Sequence, residues 1–108
     1  MTLHNEQSAN PARGEAMLAV AGKPRLLRPS FQALVLAEEE LGPLFALVER
    51  AGEGQLRLTE IAALFWHCLA EREDVSREQV GEAVMAMGLA AAAAPLRTIL
   101  RQILQGRM

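Results

Sequence analysis

Apolar residues recur every three or four positions along most of the chain, the spacing that places them on one face of an α-helix. The clearest stripe consists of Ile61, Leu64, Phe65, Cys68 and Leu69. A second stripe near the C-terminal end consists of Leu96, Ile99, Leu100, Ile103 and Leu104. Shorter stripes of the same kind within residues 31–41, 44–48 and 80–87 predict three further helices.

Residues that start or stop helices mark the boundaries of the first three. Pro29 favours a helix start, because its missing N–H would have no partner in a first helical turn. Gly42 is the predicted stop of this helix, and Pro43 begins the next one. The sequence AGEGQ ends that helix at residues 51–55, and Thr59 is the predicted cap of the third helix.

The last two helices have similar signals. Ser76 followed three residues later by Gln79 predicts a capping box for the fourth helix, which Gly88 ends. An alanine-rich, helix-compatible segment follows. The last predicted helix runs from Pro95 to Gly106.

The N-terminal part has a different pattern. Residues 15–21 and 24–28 are short apolar runs around a glycine-containing turn, which predicts a β-hairpin that needs a helix to cover one face. Residues 1–13 are polar and aperiodic, so we expect a flexible tail. The sequence therefore predicts a mainly α protein. Four to five short helices pack in one domain over residues 14–106, with a small N-terminal β-hairpin.

Composition narrows the class of protein. The chain of 108 residues is 51% hydrophobic but only 4% aromatic, so the core must consist of aliphatic side chains. A net charge of −2 argues against nucleic acid as a partner. No run reaches the roughly 18 apolar residues of a membrane span, and the N-terminal residues lack the apolar core of a signal peptide. Together with a single cysteine, these features predict a cytoplasmic protein without a membrane partner.

Candidate chemistry is sparse. His67 and Cys68 are adjacent, but neighbouring residues on a helix point about 100° apart and cannot form a thiolate pair. Cys68 lies on the apolar stripe and is predicted to be a buried, inert thiol, whereas His67 lies off the stripe and is expected to be exposed. No phosphate-binding loop or catalytic constellation is present in the sequence. We therefore predict a protein that is not an enzyme and has no cofactor.

Residues 49–60, ERAGEGQLRLTE, can be aligned with a calcium-binding loop between two helices. Glu49, Glu53 and Glu60 would be the ligands. Ala51 and Arg57 stand where oxygen donors are needed, and a cation near the site opposes calcium. The preferred interpretation is a helix–loop–helix with a glycine turn. A degenerate calcium-binding or protein-interaction module stays an alternative.

Three consecutive glutamates, 38–40, close the first predicted helix. They lie where the helix dipole disfavours negative charge. A solvated face is the usual meaning of such a run, and the alternative is a partner or a nearby base such as Arg25 or Arg28.

Residues 10–42, NPARGEAMLAVAGKPRLLRPSFQALVLAEEELG, resemble the opening of a family of small proteins from gene transfer agents and tailed phages. The matching positions are Asn10, Arg13, Gly14, Glu15, Gly22, Lys23, Leu27, Pro29, Ser30, Ala33, Leu34, Glu38 and Gly42. The segments LTEIAALFWHCL and VSREQVGEAVMAMGL resemble later family segments, so the resemblance covers about residues 10–106.

Members of this family are labelled tail tube proteins or tail assembly chaperones. The resemblance implies a chaperone that binds the tape measure protein before the tail tube polymerises and is absent from the mature particle. The residues singled out for partner binding are Glu38, from the family pattern, and Met85 and Met87, whose flexible side chains suit adaptable contacts. A structural tail tube component is the alternative. The tail tube protein and a second copy of the chain are further possible partners.

Overall fold

The computed structural model describes residues 9–10 and 13–106 and contains a β-hairpin followed by five helices. In chain order the elements are β1 (Ala16–Val20), β2 (Lys23–Leu27), α1 (Phe31–Leu41), α2 (Leu44–Gly52), α3 (Leu58–Cys68), α4 (Arg77–Met87) and α5 (Leu89–Gln105). The predicted fold class is confirmed. Most of the predicted tail, residues 1–8 and 11–12, lies outside the described residues.

The hairpin is antiparallel and has a two-residue turn at Ala21 and Gly22. Both turn residues have positive φ, 53° and 81°, as in a type I′ turn, whose twist matches that of the two strands. At the outer edge of β2, Ala70 N–H donates to Leu26 O and Arg28 N–H donates to Cys68 O. These bonds attach the hairpin to the end of α3.

The core combines side chains from the hairpin and all five helices. The largest of those that are fully buried are Phe65, Leu18, Leu27, Leu47, Leu64, Ile99, Val20, Val80, Val84 and Cys68. Helix α3 lies between α1 and α4, while the hairpin packs on α4 and α5. The radius of gyration, 13.1 Å, is that of a single compact domain of this length, about 13 Å.

Most helix ends agree with the sequence. The Ser30 hydroxyl accepts from Ala33 N–H at 3.1 Å, so α1 begins after Ser30 and not at Pro29. Gly42 ends α1 as predicted. The Ser76–Gln79 capping box is confirmed, with reciprocal bonds of 3.1 and 2.9 Å.

Two further predicted helix starts were wrong. Thr59 is not the cap of α3, because α3 already begins at Leu58 and the Glu60 carboxylate accepts from Arg57 N–H at 2.9 Å. The C-terminal helix begins at Leu89 rather than at Pro95. Alanine has the highest helix propensity, so the alanine run is itself helical. The helix then continues through Pro95, which is buried.

Among the described helices none alone is long and apolar enough to cross a membrane. Only α4 and α5 taken together reach that length and composition, and they are bent by 118°.

Candidate partner-binding groove

An open groove of about 480 Å³ lies between α3 and α4, and we call it the α3–α4 groove. Its floor and walls are Leu58, Thr59, Ala62, Ala63, Gly81 and Met85. Four charged residues, Glu40, Arg77, Glu78 and Glu82, lie along its rim. Because the floor consists of alanines and a glycine, another backbone can approach closely there.

The apolar walls of the groove are accessible to solvent. The Met85 side chain is 68% exposed and Leu58 is 39% exposed. The methionine side chain is unbranched and adapts to irregular surfaces, so Met85 can follow the shape of a bound partner. An apolar groove between two helices suits an amphipathic helix lying along it.

At one end of the groove, α1, α3 and α4 are held together by a charged network. The Glu40 carboxylate bonds His67 Nε2 at 2.8 Å and Arg77 at 2.6 Å. The Arg77 guanidinium, and then His67, lower the pKa of Glu40 to about 2. Since Arg77 is neutralised by Glu40, the other two rim carboxylates, Glu78 and Glu82, make the groove acidic. Neither of these two forms an ion pair with any of the described residues.

The Trp66 ring also stabilises this end of the groove. The guanidinium carbons of Arg72 and Arg77 lie 4.5 and 4.6 Å from its centroid. Such cation–π contacts stabilise by about 0.5–1 kcal/mol each at accessible sites. The indole N–H donates to Val75 O at 3.4 Å. Arg77 is therefore fixed by both Glu40 and Trp66, which fixes the start of α4 against α3.

The structure separates the residues that the sequence singled out for partner binding. Met85 lines the α3–α4 groove, whereas Glu38 and Met87 do not. The Glu38 carboxylate accepts from Leu44 N–H, the first residue of α2, at 3.1 Å. Whether any of the three residues binds a partner stays a prediction.

The expected exposure of His67 was wrong. Its side chain is only 6% exposed, because α1 covers the side of α3 that the apolar stripe leaves out. The basic partners suggested for glutamates 38–40, Arg25 and Arg28, were also wrong. Arg25 pairs with Asp74 at 3.1 Å and Arg28 with Glu15 at 3.0 Å, while Glu40 pairs with Arg77.

Cys68 is fully buried, and desolvation raises the pKa of its thiol to about 12, as expected for an inert core residue. The residues of the calcium-loop alignment lie on separate elements. Glu49 is in α2, Glu53 follows its last residue, and Glu60 bonds Arg50 at 2.9 Å from the first turn of α3. Within residues 9–10 and 13–106 no three His, Cys, Asp or Glu side chains are grouped as a metal site would need.

Sequence reasoning missed most of the groove. No sequence motif marks the residues of the groove, since each is an ordinary helix residue. This holds for the charged rim, Glu40, Arg77, Glu78 and Glu82, and for the small residues of the floor. Hydrophobic periodicity identifies the buried faces of α3 and α4. The groove lies beside these faces, where α3 meets α4, and its shape depends on how the two helices pack.

A scan against protein-family models matches the family described as phage tail tube protein, GTA-gp10, over residues 13–106. This range includes the hairpin, all five helices and the whole groove. No curated protein and no solved structure shows significant similarity to the chain.

Proposed function

The chain belongs to the phage tail tube protein family, GTA-gp10, and from this premise we propose that it is a tail assembly chaperone. In this proposal it binds a helical segment of the tape measure protein before the tail tube polymerises. It acts in the cytoplasm of the bacterial host cell, catalyses no reaction and is absent from the finished particle.

The observation that supports this proposal is the α3–α4 groove. A chaperone for a long helix needs an apolar surface that stays accessible in the folded protein. Met85 and Leu58 supply such a surface above the alanine and glycine floor. Contacts of this kind depend on apolar area and little on sequence, which suits a binder of successive segments of one long helix.

The test is co-expression of the chain with the tape measure protein from the same gene neighbourhood, followed by affinity purification. We expect the tape measure protein to become soluble and to co-purify. A tape measure protein that stays insoluble or does not co-purify would contradict the chaperone function.

Matched variants locate the contact. Met85→Lys places a charge on the groove wall and is expected to reduce co-purification on the order of tenfold, as for loss of a buried interface side chain. Phe45→Lys is the control, because Phe45 is similarly exposed, 65% against 68%, and lies on α2 outside the groove. Equal losses in the two variants would argue against the groove as the binding surface.

The second candidate function is a structural part of the tail tube, which the description of the family favours directly. Tube subunits usually need enough β-strand to build a ring, and the described residues form a single two-stranded sheet. Mass spectrometry of purified particles distinguishes the two functions. The chain in stoichiometric amounts in mature particles would favour the tube component, and its absence there favours the chaperone.

A further inference from the structure

The outward face of α5 carries a pattern that complements the α3–α4 groove. Its exposed residues include Ala90, Ala94, Arg97, Arg101 and Leu104, which we call the α5 ridge. They are spaced by four, three, four and three residues, so they form one straight line along the helix. The opposite face, which includes Ala92 and Ile99, is buried in the core. The ridge therefore points away from the molecule to which it belongs.

The ridge is basic where the groove is acidic. Helix α5 contains two arginines and no acidic residue, and within the described part of the chain neither Arg97 nor Arg101 forms an ion pair. The groove rim contains Glu78 and Glu82, which are also without an ion pair among the described residues. Each surface thus holds two charges of one sign that nothing described in the same molecule neutralises.

The spacing of these charges agrees as well. Glu78 and Glu82 are four residues apart on α4, and Arg97 and Arg101 are four residues apart on α5. At 1.5 Å per residue each pair spans about 6 Å along its helix axis. A helix that lies along the groove can therefore place both guanidinium groups opposite both carboxylates.

Shape permits the same contact. Gly81 lines the groove beside Ala62 of α3, so no long side chain fills the groove at that point. On the ridge, Ala94 precedes the arginines and leaves room for Met85, while Leu104 supplies apolar surface. Small residues on both sides allow the close axial distances of well-packed helices.

We propose that the α3–α4 groove binds the α5 ridge of a second copy of this chain. The two patches are different surfaces of one molecule, so the contact is head-to-tail. A pair joined in this way keeps one free groove and one free ridge. Association therefore continues into a closed ring or an open chain and does not stop at a symmetric dimer. This inference is independent of the proposed function, because it concerns the purified chain alone.

The test measures the weight-average mass of the full chain by light scattering or sedimentation, at up to ~1 mM protein. We expect the mass to rise above the monomer value of 11.7 kDa with concentration, and to fall as salt screens the exposed charges. The groove variant E78K/E82K and the ridge variant R97E/R101E turn attraction into repulsion. Each is expected to weaken association at least ~tenfold.

Mixing the two variants is the decisive step. The lysine groove of one meets the glutamate ridge of the other, and the remaining groove and ridge are those of the unchanged chain, so the mixture regains association. The control E39K/E49K changes the net charge as E78K/E82K does, on exposed positions of α1 and α2, and is expected to associate like the parent chain.

Melting followed by circular dichroism checks that all variants are folded. A parent chain that stays monomeric at low salt overturns the inference. It is also overturned if either double variant associates like the parent, or if the mixture stays monomeric. None of these outcomes decides whether the tape measure protein co-purifies with the parent chain, so failure here and failure of the chaperone function are distinguishable.

Discussion

Replacing each of the three consecutive glutamates of α1 with alanine, one at a time, is predicted to give three different stabilities. Glu40 has the largest effect, because its carboxylate is the partner of the buried His67 ring. The other ring nitrogen, Nδ1, has no hydrogen-bond partner among the described residues. In Glu40→Ala the ring therefore loses its short bond, which costs about 1–3 kcal/mol for a buried polar group. Loss of the half-exposed Arg77 pair adds up to about 1 kcal/mol.

The two neighbouring glutamates have smaller effects. Glu38 accepts from Leu44 N–H at the start of α2, and loss of such a side-chain cap costs about 1 kcal/mol. Glu39 is exposed and makes no hydrogen bond or ion pair with the described residues, so its replacement stays within about 0.5 kcal/mol. Glu39→Ala is therefore the matched control for the other two variants.

Thermal and urea denaturation measure the series. For a domain of this size 1 kcal/mol shifts Tm by about 4–8 °C. The middle of the range for Glu40→Ala, about 2.5 kcal/mol, therefore lowers Tm by about 10–20 °C, and the loss of about 1 kcal/mol for Glu38→Ala lowers it by about 4–8 °C. Equal melting of the Glu40 and Glu39 variants would refute the reasoning, because it would mean that the His67 bond does not stabilise the fold.

Acid provides an independent check on Glu40. Its pKa is lowered from 4.5 to about 2, first by the Arg77 bond and then by His67. A lowered folded-state pKa contributes stability that is fully present above pH 4.5 and is lost as the pH falls towards 2. The Tm difference between the parent chain and Glu40→Ala should therefore narrow over that interval. A difference that stays constant from pH 5 to pH 2 would contradict an ionic contribution.

Two further predictions concern packing. Gly14→Ala is expected to lower the free energy of unfolding, measured by urea denaturation, by about 2–4 kcal/mol, because a β-carbon at φ +75° would overlap the Gln102 side chain. Gly22 has a similar φ, +81°, but its β-carbon would meet open space, so Gly22→Ala costs only the ~1–2 kcal/mol of backbone strain. Equal losses would contradict the close approach at Gly14. The Cys68 thiol is expected to be unreactive towards a disulfide reagent at pH 8 in the native protein and reactive in denaturant, since it is buried and its pKa is raised to about 12. Rapid reaction of the native protein would contradict this.

The sequence predicted features that depend on neighbouring residues. Gly42 and the Ser76–Gln79 box were correct, because a cap bonds its own helix and needs nothing from the rest of the fold. The apolar stripe of α3 was correct for the same reason, as helical spacing alone puts Phe65 and Cys68 on one face. A local signal failed at Thr59, a residue type that often caps helices, because α3 begins one residue before it.

Features that join distant residues could not be predicted. Glu40 meets His67 across 27 residues and Arg77 across 37. In the sequence nothing singles out Glu40, and the family pattern points to Glu38 instead. Periodicity treats a helix as if it had one buried face, whereas α3 is covered by α1 on one side and α4 on another. His67 is buried for that reason although it lies outside the stripe. The candidate groove depends on the same packing.

The proposed chaperone function and the proposed self-association use the same groove, so they make a joint prediction. A second copy bound in the groove competes with a tape measure helix and lowers its apparent affinity in proportion to the occupied fraction. The ridge variant R97E/R101E cannot occupy the groove of a second copy, yet its own groove is unchanged. We therefore expect it to bind tape measure fragments more tightly than the parent chain at high protein concentration and equally at low concentration. Binding that is unchanged at both concentrations would mean that the partner helix uses a different surface. It would leave the groove to self-association alone.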